Sequence, residues 1–346
     1  MDGTIYILGV GSIGTFLACE LMSLPYFKDK VVLLLRNKER LGQFRENGSH
    51  LTLERVLDNR QDLVRHKVKA TCSSELNVDA IDNLIVTTKT TETETAMRDY
   101  LPFLNKHSNI LFVHNGFGII EALNKTVWDN PYTRPNLYQG VTSHSVSFKE
   151  KFWYCHKCFG ALKIAKVPRT VKDSSVPDAV GPCAMVQNLL DAEMANGSYL
   201  EYLNLLIYQC QKFMVNCCMN STSAILDCVN YELSNIAEVK LLFHAIITEC
   251  VDVLFKSNNI LANSEKAKNI LSVPNLFDLV LYLGFVENAR NSTSMRLDTL
   301  KKRETEIDSL NGWIVKLAKE FDCEATVNKT ITLMVKARTT INQRRL

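Results

Sequence analysis

Gly9, Gly11 and Gly14 stand in GVGSIG, directly between the apolar run IYIL and the helical pattern TFLACELM. Strand, tight glycine turn and helix in that order confine the opening of the chain to very few folds. The first glycine permits the turn, the second lets the backbone approach a pyrophosphate, and the third lets helix and strand pack closely. Amides at a helix N-terminus receive phosphate. Gly9, Val10, Gly11, Ser12, Ile13 and Gly14 are therefore candidate contacts to a dinucleotide.

Downstream, VVLLLR, NLIVTTK, NILFVHNG and LYQGVTSHSV read as further strands alternating with helical patterns, as in a parallel sheet with crossover helices. The runs IYIL, VVLLL and LIV are continuously apolar, as expected of strands covered on both faces. KFWYCH and ALKIAKV read as an additional antiparallel pair, and VPRTVKDSSVPDAVGP as a surface loop. From about residue 198 helical patterns take over, at 198–228, 232–257, 263–272, 275–289, 294–320 and 327–341. The expected fold is α/β: a Rossmann-type, mostly parallel sheet domain over 1–197, then an all-helical domain over 198–346. A chain of 346 residues suits two domains.

Composition narrows the function. A net charge of +3 is too small to imply a nucleic-acid or membrane partner, and the basic stretches LKKRETE and KARTTINQRRL read as solvated helix faces. No window approaches 18 uninterrupted apolar residues, and the first residues enter a strand pattern rather than a signal peptide. Eleven cysteines in that context read as reduced thiols of a cytoplasmic protein. Cys155 and Cys158 form CHKC without a second pair at zinc-site spacing, so no metal is expected.

Two further signals carry chemistry. VVLLL ends in Arg36, where an NAD-binding version would place an acid for the ribose 2′-hydroxyl; a guanidinium there matches a 2′-phosphate and argues for NADP. In LLIYQCQKFMVNCCMNSTSAIL, Lys212, Asn216 and Asn220 recur at intervals of four, which a helix stacks on one face. One ammonium and two carboxamides on a largely apolar helix need partners, because unpaired burial costs several kcal/mol. A small ligand with carboxylate, carbonyl and hydroxyl groups would supply them; a stripe facing water is the alternative.

With NLIVTTK, ILFVHNGFGIIEAL, KFMVNCCMN, NSTSM and TEIDSLNG in hand, the chain resembles ketopantoate reductase (2-dehydropantoate 2-reductase) from Ile5 to about Lys316. The motifs HNGxGxxE, KxxxNxxxN, NxxSM and EIDxxNG occur in the family's order. The resemblance implies NADPH-dependent reduction of 2-dehydropantoate to (R)-pantoate, a step towards pantothenate and coenzyme A. It also implies a helical domain of the 6-phosphogluconate dehydrogenase type closing the other wall of a cleft. Matching cofactor positions are the glycine turn, Arg36, Lys89, Asn115, Val146 and Glu306. Lys212 matches the general acid, and Glu306 the acid that interacts with cofactor and amine. Asn115, Lys212, Asn216, Asn220, Asn230, Asn291 and Ser294 match substrate contacts, with Asn291 expected one helical step from Ser294.

The expected partner is a small-molecule 2-oxo acid, with a homodimer left open. Ser221 stands where many bacterial members have proline, and the stretches around LPYFKDK and before Lys212 are longer than in compact members. Reduction of another branched 2-oxo acid, or a non-catalytic reductase-like binding role, remain the alternatives.

Overall fold

The computed structural model describes residues 3–27, 29–57, 60–170 and 181–345. Most of the loop read over VPRTVKDSSVPDAVGP lies outside the described residues. Contacts group the chain into two compact units. One runs to Asn115 and from Ile119 to Leu205, and the other takes Gly116–Gly118 and everything from Leu206.

Among the described residues the first unit holds twelve strands: β1 (Ile5–Leu8), β2 (Val31–Leu35), β3 (His50–Leu57), β4 (Arg60–Lys67), β5 (Lys69–Cys72), β6 (Asn83–Val86), β7 (Asn109–Val113), β8 (Asn136–Thr142), β9 (Ser145–Glu150), β10 (Trp153–Cys158), β11 (Leu162–Lys166) and β12 (Gly197–Tyr199). Eight form a sheet in the order β12-β11-β8-β7-β6-β1-β2-β5, parallel at every step except β11 on β8. Its helices are α1 (Ser12–Ser23), α2 (Lys38–Glu46), α3 (Thr90–Arg98), α4 (Ile119–Thr126) and α5 (Ala184–Asp191).

Successive strand side chains point to opposite faces. Ile5, Ile7, Leu33 and Leu35 accordingly join α1 and α5 in one core, whereas Tyr6, Leu8, Leu34 and Val86 join Met97 and Ile120 in another. Covering on both faces is why these strands carry unbroken apolar runs.

The other four strands form a smaller sheet, β4-β3-β10-β9, and here two sequence expectations are corrected. KFWYCH and ALKIAKV are not paired: β10 lies parallel to β3 and antiparallel to β9, while β11 joins β8 and β12 in the larger sheet. LYQGVTSHSV is not one strand, since it parts at Ser143–His144 into β8 and β9 in different sheets. The cause is the buried His144, whose Nδ1 accepts from the Gly160 N–H at 3.1 Å while Nε2 donates to the Ala195 carbonyl at 2.9 Å. Those two bonds pin the chain where it leaves one sheet for the other. A part-buried ion pair fastens α1 to the smaller sheet, Arg55 of β3 meeting the buried Glu20 at 2.7 Å.

The helix α6 (Tyr202–Val215) carries the chain into the second unit, which continues with α7 (Ser221–Leu226), α8 (Ala237–Ser257), α9 (Asn259–Ala262), α10 (Glu265–Ile270), α11 (Val273–Tyr282), α12 (Ser294–Leu300), α13 (Asn311–Glu320) and α14 (Thr326–Arg344). The boundary expected at 197/198 falls inside β12, where Gly197 still pairs with Leu162; the compact units divide within α6 instead. Three expected helices are interrupted. A π-helical turn at Asn216–Asn220 separates α6 from α7, another at Leu283–Glu287 follows α11, and the pattern over 294–320 breaks between α12 and α13. Among the described residues no helix is long and apolar enough to cross a membrane.

Candidate functional site

Each glycine of the turn has its own environment. Gly9 adopts φ +95°, the left-handed region, and a Cβ there would lie 2.5 Å from the Thr88 backbone nitrogen. A Cβ on Gly14 would run into the Gly9 carbonyl and stand 2.6 Å from Thr87 Oγ1. At Gly11 a Cβ would meet none of the described residues within 4 Å. Gly11 supplies no side-chain cap, and the first turn of α1 has no acidic residue, so the orphan N–H groups there are left for an anion. Open space plus uncapped amides fits a pyrophosphate. The Thr87 hydroxyl donates to the Gly9 carbonyl at 2.5 Å, and Tyr154 of β10 donates to the Val10 carbonyl at 3.2 Å.

Other candidates of the first unit gather at the start of α3. Lys89 is exposed and is the N-cap residue of that helix, three residues beyond the end of β6 rather than within the strand. Arg36 is exposed at the end of β2 and pairs with Glu92 of α3 at 3.3 Å. The Asn115 carbonyl accepts from Thr90 Oγ1 at 3.1 Å. Asn115 is not among the left-handed residues; Gly116, φ +82°, takes that conformation. Val146 lies in β9 opposite His156 and packs on the same core as Val10 and Ile13.

In the second unit, Lys212, Asn216 and Asn220 stay half-buried while Phe213, Met214, Cys217, Cys218 and Met219 are buried. The three polar residues thus share a stripe, though not on a plain α-helix. Each α-helical step of four drifts forward by about 40°, and the wider turn at Asn216–Asn220 winds less per residue and takes that drift back. Among the described residues neither carboxamide makes a side-chain hydrogen bond. Burial pulls the Lys212 amine down from 10.5 to about 8, with the Glu306 carboxylate working against that fall. Glu306 lies in the break between α12 and α13, at the start of a 3-10 turn Ile307–Ser309. Its neighbours differ, since Glu304 is exposed and Asp308 pairs with Lys336 at 2.7 Å.

Asn230 and Asn291 form a second polar group. The buried Asn230 donates Nδ2 to the Asn288 carbonyl at 2.9 Å, and Asn291 donates Nδ2 to Asn288 Oδ1 at 2.9 Å. Asn291 is not one helical step from Ser294, because Thr293 caps α12 and Asn291 precedes the helix. Ser294 is exposed at the first helical position, and Thr293 beside it meets Ser223 Oγ of α7 at 2.6 Å. Cys155 is buried and Cys158 exposed, and among the described residues no cluster of three or more metal-binding side chains exists.

Sequence reasoning passed over Thr87, Tyr154 and Asn288. Thr87 and Tyr154 act on backbone carbonyls of the glycine turn, and Asn288 through both its backbone carbonyl and its carboxamide, contacts for which spacing gives no signal. It also passed over Phe117, which stacks on Trp313 at 5.0 Å and meets Phe213 edge-on at 5.2 Å.

Two family models match the chain: Ketopantoate reductase PanE/ApbA over residues 5–169, and Ketopantoate reductase PanE/ApbA C terminal over residues 204–339. The probable 2-dehydropantoate 2-reductase of Schizosaccharomyces pombe is 45% identical over 345 residues, 99% of this chain and 98% of that protein. The 2-dehydropantoate 2-reductase of Saccharomyces cerevisiae is 35% identical over 367 residues, 99% of this chain and 96% of that protein. A solved structure of D-mandelate dehydrogenase with NADH and anilino(oxo)acetate aligns at a TM-score of 0.76 and 22% identity, covering 98% of this chain and 99% of that one; this likeness speaks to the fold. With both parts of the sequence matched and a 45% identical relative spanning nearly all of it, the chain belongs to the ketopantoate reductase family.

Proposed function

We propose that the protein reduces 2-dehydropantoate to (R)-pantoate with NADPH, a step towards pantothenate and coenzyme A. Family membership supports the reaction class. The observation that carries the mechanism is Lys212, an amine brought to about 8 by burial and held from falling further by Glu306, beside two carboxamides with unused hydrogen-bonding capacity.

The cofactor fits the first unit. The open space at Gly11 and the amides of Ser12, Ile13 and Gly14 suit the pyrophosphate, and Arg36 suits a 2′-phosphate. Its present pairing with Glu92 is exposed and is worth about 0–1 kcal/mol, so it yields readily to a phosphate. Lys89 and Asn115 gather at the same end of the sheet. When bound, NADPH supplies the hydride that adds to C2 of the oxo acid.

The protein's own residues do the rest. With its titration near 8, Lys212 is mostly protonated at neutral pH, so it polarises the C2 carbonyl and gives its proton to that oxygen as negative charge develops. Glu306 favours the protonated amine before turnover. Asn216 and Asn220 offer donors to the carboxylate and acceptors to the hydroxyl. Asn230, Asn291 and Ser294 are assigned to the remaining substrate oxygens.

The test is direct. Purified protein mixed with ketopantoate should consume NADPH and form pantoate mole for mole, and should use NADH less well. Faster turnover of another branched 2-oxo acid would reassign the substrate. Absence of NADPH binding by calorimetry would leave a non-catalytic scaffold and overturn the proposal.

A further inference from the structure

The motif TEIDSLNG brings Glu306 to the site, yet its Asn311 is fully buried. Asn311 Nδ2 donates in two directions, to Asn328 Oδ1 at 3.0 Å and to the Cys217 carbonyl at 3.2 Å. Cys217 belongs to the π-helical turn Asn216–Asn220, and the same carbonyl accepts from Ser221 Oγ at 2.5 Å. Asn328 is oriented in turn by Glu249. The carboxylate accepts from Asn328 Nδ2 at 2.8 Å, and from the backbone N–H groups of Val327 and Asn328 at 2.8 and 2.9 Å.

The directions follow from chemistry. An ionised carboxylate only accepts, so Glu249 draws the amide end of Asn328 towards itself and leaves Oδ1 facing Asn311. Asn311 must then present its own amide end to Asn328, and its second N–H falls on Cys217. Its Oδ1 is buried without a partner among the described residues. An apolar side chain of similar size would shed that cost. Helices widen or bend where a side chain inserts into the backbone ladder, and that is where Asn311 acts.

We infer that Glu249, Asn328 and Asn311 form a buried positioning relay that holds the π-helical turn open and thereby sets where Asn216 and Asn220 stand relative to Lys212. Asn311 is a positioning residue. It touches no proposed ligand and works through the Cys217 carbonyl. The inference rests on the proposed role of Asn216 and Asn220 in holding the oxo acid.

The experiment compares Asn311→Ala and the milder Glu249→Gln with Thr339→Val. The last removes a buried hydroxyl bond to the Val335 carbonyl in the same unit, outside the relay. Steady-state kinetics with ketopantoate and hydrogen exchange across 216–221 are measured for each. For Asn311→Ala the oxo-acid KM should rise by about tenfold or more, since a misplacement of about 1 Å is costly in such sites. Glu249→Gln should show a smaller rise, both should exchange faster at 216–221, and the KM for NADPH should hold. Thr339→Val should leave all three readings at wild-type values. Lowered melting temperature in the relay variants with unchanged oxo-acid KM and unchanged exchange would overturn the relay. Should Asn311→Ala fail to fold, Glu249→Gln decides. A wild-type protein without ketopantoate turnover would sink the proposed function by itself, and exchange at 216–221 would still decide the relay.

Discussion

An amine that titrates near 8 is charged enough at neutral pH to donate and close enough to neutrality to part with its proton. Replacing Lys212 with alanine should lower kcat by about 10²–10⁴-fold, the usual worth of a positioned acid, with an unchanged circular dichroism spectrum; retained turnover would remove Lys212 from the role. Glu306 raises the amine's titration point, so Glu306→Gln should move the alkaline fall of reductase activity to lower pH. A shift to higher pH would mean that the carboxylate acts otherwise. At this scale the sequence was informative about side chains and mute about backbone. Lys212, Asn216 and Asn220 were legible because spacing alone puts them on one stripe. Thr87 and Tyr154 were not, because what they hold is a carbonyl of the glycine turn.

The glycine turn separates two roles that sequence treats alike. Gly14→Ala forces a methyl group against the Gly9 carbonyl and should destabilise the first unit by about 1–3 kcal/mol, as overpacking does. Gly11→Ala meets open space and should keep wild-type stability while weakening NADPH binding. Thermal melts and calorimetry on the two variants check this, and equal loss of stability in both would contradict it. The larger sheet was readable because its strands are buried on both faces and follow one another through helices. The smaller one was not, since β10 finds its parallel partner β3 far back in the sequence and half-exposed strands such as β4 lack a clean apolar run. Nor did periodicity reveal the π-helical turn at Asn216–Asn220 or the break before α13, although those departures from regular helix place Asn220 and Glu306.

The division into a sheet unit and a helical unit was visible in the change of pattern near residue 198, but its position was not, because α6 carries the chain from one unit to the next without a composition break. Acid sensitivity belongs to this scale. Burial lowers His114 and His156 from 6.5 to about 4. Between those values the unfolded chain binds protons that the folded chain refuses, so their contribution is fully present above 6.5 and is lost as pH falls towards 4. The melting temperature should drop over that interval, and imidazole NMR signals of both residues should stay neutral to below pH about 5; protonation of either near 6.5 would contradict the burial assigned to it.

The claim that a lysine from the helical unit protonates the oxo acid is tested most directly by the pH dependence of kcat/KM for ketopantoate at saturating NADPH, followed from about pH 6 to about pH 10. The expected profile is level on the acid side of about 8 and falls about tenfold per pH unit beyond it, with pantoate oxidation rising through the same point. A reduction rate that stays level through the whole range would contradict the assignment of Lys212 as the proton donor.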